Sequence, residues 1–419
     1  MTKSIEFSRI DGSVVAPSSK SVAQRAIVAA LLSQGTTVLQ HLTLCNDTKA
    51  ALQIAETLSA AIVSDGTTYN ITSHFVDKKT TPQTIFCGES GLLVRMISPV
   101  IALLEQPVFI CGTGSLLTRP LNMIADALQQ FGAKISSEQG KLPLSIQGKM
   151  RGGTAHIDGS SGSQLLTGLL MALPLADDDS TIYVQQLSSK PYIDLTINLL
   201  SHFGIVIAHE NYEVFHIQGG QRYQPCTYNI EGDWSGASCL LVAGCIAGKV
   251  SVSNLDVRSR QADTAIVDAI KKAGGEVEIK NDTSLQTVTT TQSPLHAFEF
   301  DATNCPDLFP ALTALAACSQ GITKISGVHR LVHKESNRAE TLQQEFAKIG
   351  IHIAIHDDAM FTTGGTISGA TVCAHNDHRI AMALATAALT TTSPVIIEEA
   401  ECVAKSYPQF WDDFQGLLA

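Results

Sequence analysis

The 419-residue chain is 44% hydrophobic and 16% charged with a formal net charge of −11, too apolar for a disordered chain and long enough for two or three packed domains. Its pI near 5.6 excludes a general nucleic-acid-binding or membrane-attracted surface, so any anion site must be a local cluster of cations. Ten cysteines without C-x-x-C or zinc-type spacing predict free thiols in a reducing cytoplasm and no metal centre. The opening "MTKSIEFSRIDGSVV" lacks the apolar stretch of a signal peptide, and no uninterrupted apolar run reaches about 18 residues, so no membrane span is expected.

Along the chain, six segments repeat one pattern: a polar or glycine-bearing opening, an Ala/Leu-rich helix, a turn and a short β-like run. They open at "SKSVAQRAIVAALL", "GESGLLVRMISPVIALL", "GSSGSQLLTGLLMALPLA", "GDWSGASCLLVAGCIAG", "CPDLFPALTALAACSQG" and "NDHRIAMALATAAL". The landmarks Ser21, Ser90, Ser163, Ser235, Pro306 and Asp377 are 69, 73, 72, 71 and 71 residues apart. Between them lie helices that end on a glycine turn into a strand, as in "IADALQQFGAKI", "TINLLSHFGIVI", "IVDAIKKAGGEVEI" and "LQQEFAKIGIHIAI". Each unit reads as helix–strand–helix–strands over about 70 residues, too long for common solenoids. Six such units divide into two domains of three. The first helix of each unit is apolar nearly all round and should be buried. Its polar, small-residue start would gather backbone N–H groups around an anion between two domains.

The same openings hold the residues that could carry chemistry. Lys20, Ser21 and Arg25 place cations at a helix mouth that already favours anions, and Ser21 and Arg25 share a face. "GESGLLVR" and "GTGSLLTRP" end in Arg95 and Arg119, and Pro120 fits the first turn of the next helix. "GSSGSQLLTG" offers Ser160, Ser161, Ser163 and Gln164, small donors that let backbone approach a phosphate. In "SSKPYID", Ser189, Lys190 and Tyr192 precede a helix, and Pro191 should hold Lys190 extended. Asp307 opens another helix. In "HKESNRAE", Lys334 and Arg338 at i, i+4 should share a helix face with Glu335 between them, a carboxyl that cations and desolvation can tune for proton transfer. Asp377 reads as an N-cap, His378 as a packed histidine, and Arg379 and Lys405 as further cations. His352 and His356 read as surface residues of an alternating strand. Taken singly, each stretch also fits an ordinary capped or salt-bridged helix start. No phosphate-binding G-x-x-x-x-G-K-[ST] loop, G-x-S-x-G elbow or G-x-G-x-x-G after a strand occurs.

Together, in this order, "PSSKSVAQRA", "GESGLLVR", "TRP", "GSQLLTGLLMALPLA", "SKPYIDLTINLL", "IEGDWSGAS", "PDLFPAL", "HKESNRAE", "NDHRIAMA" and "AKSYPQFW" resemble the 5-enolpyruvylshikimate-3-phosphate synthase (3-phosphoshikimate 1-carboxyvinyltransferase) family over nearly the whole chain. The resemblance implies an α/β (α+β) fold: a two-domain inside-out α/β barrel of the enolpyruvyl transferase type, with six βαβαββ repeats, three per domain. Residues 1–19 and 231–419 would form a discontinuous domain on the phosphoenolpyruvate side. Residues 20–230 would form the shikimate 3-phosphate side, with the active site in the cleft. The implied reaction moves the enolpyruvyl group of phosphoenolpyruvate to the 5-hydroxyl of shikimate 3-phosphate and releases phosphate. The substrates bring about five to six negative charges, which need cationic partners once out of water.

Carried over residue by residue, the resemblance assigns phosphoenolpyruvate to Lys20, Gly91, Arg119, Gln164, Arg338, Arg379 and Lys405. It assigns shikimate 3-phosphate to Lys20, Ser21, Arg25, Ser161, Ser163, Gln164, Ser189, Tyr192, Asp307 and Lys334. Glu335 would donate a proton and Asp307 accept one, with the routes through Lys20, Asp307 and Glu335 left open. The family implies a cytoplasmic monomer with no metal or organic cofactor, and no nucleic-acid or membrane partner. The chain departs from the commonest pattern at Gly162, where a Ser is usual, so that one phosphate contact is lost or moves to Ser161. It departs again at Glu89 and Leu92 of the usual G-N-A-G-T, at Arg330 where many members have Asn, and at Asn337 where Asp is usual. The nearest rival, the enolpyruvyl transferase acting on UDP-N-acetylglucosamine, typically carries a Cys shortly before the arginine equivalent to Arg119, and Gly112 to Thr118 has none. An inactive ligand-binding paralogue would be expected to lack Lys20, Asp307 or Glu335, and all three are present.

Overall fold

A helix that is apolar on every side must be enclosed, and in this protein such helices form the centres of two compact units. The computed structural model describes residues 1–75, 83–280 and 286–419. One unit is Lys20–Ile230; the other joins Met1–Ser19 to Glu231–Ala419.

In Lys20–Ile230 the helices are α1 (Lys20–Leu32), α2 (Asn46–Thr57), α3 (Gly91–Ile101), α4 (Asn122–Gln130), α5 (Gln164–Ala172) and α6 (Pro191–His202). Helices α1, α3 and α5 are the enclosed ones. Every side chain of α1 is buried except Lys20 and Ser21; of α3, except Arg95; of α5, except Gln164. The exceptions are polar residues in the first or second turn of each helix. Three four-stranded sheets surround them. In the second, strand Thr84–Phe86 runs parallel to Val108–Cys111, which pairs antiparallel with Lys141–Gln147 and that with Lys134–Glu138. Strand Lys141–Gln147 turns Leu142, Leu144 and Ile146 inward and leaves Lys141, Pro143 and Gln147 exposed. The first sheet takes its edge strand from far along the chain: Thr227–Asn229 lies parallel to Gly35–Gln40.

The other unit repeats the plan with α7 (Trp234–Ala247), α8 (Ile266–Lys272), α9 (Phe309–Ala317), α10 (Arg338–Lys348), α11 (His378–Ala388) and α12 (Phe410–Gly416). All residues of α7, α9 and α11 are buried. Its first sheet also borrows an edge, Ile10–Val15 parallel to Gly248–Leu255. The polypeptide leaves this unit after its second strand, Ile10–Val15, and returns just before α7, which makes the unit discontinuous. The last sheet has three strands, with Lys3–Ile5 antiparallel to Val395–Glu398.

The outer helices α4, α6, α8 and α10 each end before a glycine in the left-handed region: Gly132, Gly204, Gly274 and Gly350, at φ between 77° and 88°. Two local expectations fail. Pro120 precedes α4 rather than opening it, because Leu121 is the N-cap. Lys190 is helical (φ −49°, ψ −40°) rather than extended, because its carbonyl already accepts from the Ile193 amide at 2.9 Å and Pro191 starts α6. All ten cysteines are free and six are buried. Among the described residues no helix is long and apolar enough to cross a membrane.

Candidate active site

In Lys20–Ile230, the starts of the enclosed helices are tied together by polar side chains. Arg25, 1% exposed, donates through Nη1 to the Ser21 carbonyl (2.8 Å), through Nε to Thr196 Oγ1 (2.9 Å) and through Nη2 to Thr167 Oγ1 (3.3 Å). The Tyr192 ring lies 5.9 Å from its guanidinium carbon. Burial pushes the Arg25 guanidinium down to about 10, so it keeps its charge at neutral pH. Lys20 Nζ is 3.3 Å from Asp47 Oδ2. Gln24 Nε2 donates to Ser90 Oγ (2.8 Å) and the Asp47 carbonyl (3.1 Å), joining α1 to the N-cap of α3. Arg95 Nη1 donates to the Gly91 carbonyl (2.9 Å) and Gln164 Oε1 (3.3 Å), joining α3 to α5. Ser163 is buried at the N-cap of α5. Ser189 is buried in the left-handed conformation (φ 59°) just before α6, a strained placement for a serine.

Two residues depart from this cluster. Ser161 is exposed in the turn before Ser163 and stands outside the hydrogen-bonded set among the described residues. Glu89 turns aside to fasten the turn that carries Arg119: its Oε2 accepts from the Ser115 amide (3.1 Å) and Oγ (3.2 Å). Gly91 faces Arg119 closely, for a Cβ there would lie 2.5 Å from Arg119 Nη1.

In the other unit the centre is Arg338, the first residue of α10 and 1% exposed. Its fork holds three carboxylates. Nη1 donates to Asp307 Oδ1 (2.7 Å), Nη2 to Glu335 Oε2 (2.8 Å), and Nε to Asp377 Oδ2 (2.8 Å). Lys334 Nζ donates to Asp307 Oδ1 at 3.0 Å, and Lys405 Nζ is 3.7 Å from Glu335 Oε1. Asp377 caps α11 through the Arg379 amide (3.0 Å). Arg379 is 3% exposed; its Nη2 is 4.0 Å from Asp233 Oδ1, while Nε and Nη1 find no hydrogen-bond partner among the described residues. Lys334 and Glu335 do not share a helix face with Arg338. The backbone of Asn337 is non-helical (ψ 85°), so α10 starts at Arg338, and Lys334 meets it through Asp307 instead.

These cations set the protonation of the acids. Burial alone would raise the Asp307 carboxyl, but Lys334, Arg338 and Arg379 outweigh it and hold it well below the usual carboxylate range. Asp263, fully buried and accepting from the Ser235 hydroxyl, goes the other way: burial, then the charge of Asp307, push it from 3.8 to about 7. The folded chain therefore keeps a proton on Asp263 that the unfolded chain sheds near pH 4. This contribution to stability is lost as pH rises from about 4 to about 7. In Asp263→Asn, thermal midpoints measured at about pH 5 and about pH 8 should lie closer together than in the wild type. An unchanged difference would mean that Asp263 does not carry the proton.

Sequence reading missed Asp47, Thr167 and Thr196 and saw Asp377 only as a cap. Thr167, Thr196 and Asp377 have partners in other repeats, whereas Asp47 meets Lys20 from the next helix of the same repeat; for the two threonines the one local hint was a polar residue inside an apolar helix. Among the described residues no three His, Cys, Asp or Glu side chains gather as metal ligands do.

A family model described as EPSP synthase (3-phosphoshikimate 1-carboxyvinyltransferase) matches residues 6–414. The 3-phosphoshikimate 1-carboxyvinyltransferase of Clostridium novyi (strain NT) is 37% identical over 418 residues, covering 97% of this chain and 95% of that protein. Its counterpart in Clostridium kluyveri is 37% identical, covering 99% and 96%. The solved EPSP synthase of Acinetobacter baumannii shares the fold, with a TM-score of 0.85 at 23% identity over 100% of this chain and 98% of that one. With the family model spanning nearly every repeat and the clostridial relatives aligned end to end, the chain belongs to the EPSP synthase (3-phosphoshikimate 1-carboxyvinyltransferase) family.

Proposed function

We propose that the protein transfers the carboxyvinyl group of phosphoenolpyruvate to the 5-hydroxyl of shikimate 3-phosphate and releases inorganic phosphate. First the 5-oxygen bonds to C2 of phosphoenolpyruvate, its proton passes to a base, and C3 takes a proton from an acid. Then the C2–O bond to phosphate breaks and C3 gives a proton back, which restores the double bond. The observation that carries the residue assignment is Arg338, whose one buried guanidinium fixes Asp307 and Glu335 together. Asp307, which its cations keep unprotonated, is the proposed proton acceptor. Glu335 is the proposed donor, and Lys20 the third group that can move a proton.

For shikimate 3-phosphate we assign Lys20, Ser21, Arg25, Ser163, Gln164, Ser189 and Tyr192, with Ser161 as a peripheral contact and with Asp307 and Lys334. For phosphoenolpyruvate we assign Lys20, Gly91, Arg119, Gln164, Arg338, Arg379 and Lys405. These cations supply the charge that the anions need, so the chemistry calls on no metal or organic cofactor. The single chain holds every group assigned, and its free thiols suit a cytoplasmic setting. Residues 1–19 with 231–419 are the proposed phosphoenolpyruvate side, and 20–230 the shikimate 3-phosphate side.

Phosphate release is the test. It should follow mixing with phosphoenolpyruvate and shikimate 3-phosphate, and not with phosphoenolpyruvate and UDP-N-acetylglucosamine. Release with the nucleotide sugar alone, or with neither, would overturn the assignment. Gly91→Ala offers a finer check. Its Cβ must displace the flexible end of Arg119, so the fold should survive, while the KM for phosphoenolpyruvate rises roughly ten- to a hundredfold. An unchanged KM in steady-state kinetics would remove Arg119 from that substrate.

A further inference from the structure

The loop that delivers Asp377 and Arg379 has a second anchor on α10. Glu345 is 1% exposed although it carries a carboxylate. It lies seven residues beyond Arg338, two helical turns, and so on the same face. Its Oε2 accepts from the Cys373 amide at 2.8 Å, and its Oε1 pairs with His375 Nε2 at 2.8 Å. Lys348 Nζ donates to both oxygens, at 2.9 and 2.8 Å. Burial opposes the charge, but His375, Lys348 and the Cys373 amide hold the carboxyl below its ordinary value.

What Glu345 grips is strained. His375 and Asn376 are both left-handed, at φ 51° and 50°, a conformation that costs free energy in a residue with a Cβ, though less in Asn and His than in most. The next residue is Asp377, on which Arg338 closes and which caps α11, whose second residue is Arg379. One helix face thus holds the loop at two points: Arg338 at the functional end, and Glu345 two turns back.

We propose that Glu345 is a positioning residue for the reaction proposed above: with His375 it clamps residues 373–376 to α10 and so sets the Asp377 carboxylate against Arg338 and the Arg379-bearing start of α11. It touches no substrate and acts through Asp377.

The test uses the full chain, with Glu345→Gln, His375→Ala and Lys348→Gln. His375 has a 39% exposed side chain, so its loss opens no core cavity and it stands in should Glu345→Gln fail to fold. In Glu345→Gln and His375→Ala, kcat/KM for phosphoenolpyruvate should fall about tenfold or more while the Kd for shikimate 3-phosphate stays within about twofold. Combined with Asp377→Asn, Glu345→Gln should add little to the loss from Asp377→Asn alone, as expected for residues acting through one another. Lys348→Gln, which touches Glu345 but not the loop, should stay within about twofold. Wild-type kinetics in both loop-side variants, additive losses in the cycle, or an equal loss in Lys348→Gln would overturn the proposal. An inactive wild type would instead strike the proposed reaction, which separates the two failures.

Discussion

Arg338→Met is expected to abolish turnover and to lower the unfolding free energy by about 3–5 kcal/mol, the range for breaking a buried ion pair by removing one partner. Methionine fills much of the space of the arginine stem but offers no donors. Asp377 is fully buried and Glu335 nearly so, and both lose their shared guanidinium, while Asp307 keeps Lys334. Arg338→Lys should restore only part of either property, because one ammonium cannot fork among three carboxylates. Urea unfolding and phosphate release together measure the effect. A variant of near-normal stability would show that the three acids do not depend on Arg338.

Glu335→Gln is expected to lower kcat by at least about a hundredfold with both substrates still bound, the scale of general acid–base help. The amide keeps the shape of the side chain, and its oxygen can still accept from Arg338 Nη2, which now lies 2.8 Å from Glu335 Oε2. What it lacks is the acidic proton. The pair of variants therefore separates chemistry from architecture: Arg338→Met, which strips three carboxylates of their donor, should lose activity and much stability, while Glu335→Gln should lose activity with a smaller loss of stability. Near-normal turnover in Glu335→Gln would take it out of the acid's role.

The sequence made visible what depends on short spacings. Apolar runs with polar starts marked the enclosed helices, and the exceptions to burial in α1, α3 and α5 are Lys20, Ser21, Arg95 and Gln164. The glycines ending α4, α6, α8 and α10 are left-handed as such termini require. Hidden from it were the pairings that join repeats. Arg25 meets Thr167 and Thr196, 142 and 171 residues away, and Arg338 meets Asp377 at 39. No local pattern marks a threonine as the partner of a distant arginine. The spacing of Lys334 and Arg338 misled for the opposite reason. It fits a helical face, but the helix starts only at Arg338, and the contact runs through Asp307.

Transfer by addition and elimination leaves an isotopic mark. In deuterium oxide, C3 of phosphoenolpyruvate takes a solvent deuteron at the addition step and returns one hydrogen isotope at elimination. Mass spectrometry of the product formed from phosphoenolpyruvate and shikimate 3-phosphate should show a carboxyvinyl ether with deuterium in its methylene. No ether, or an ether free of deuterium, would contradict the proposed transfer.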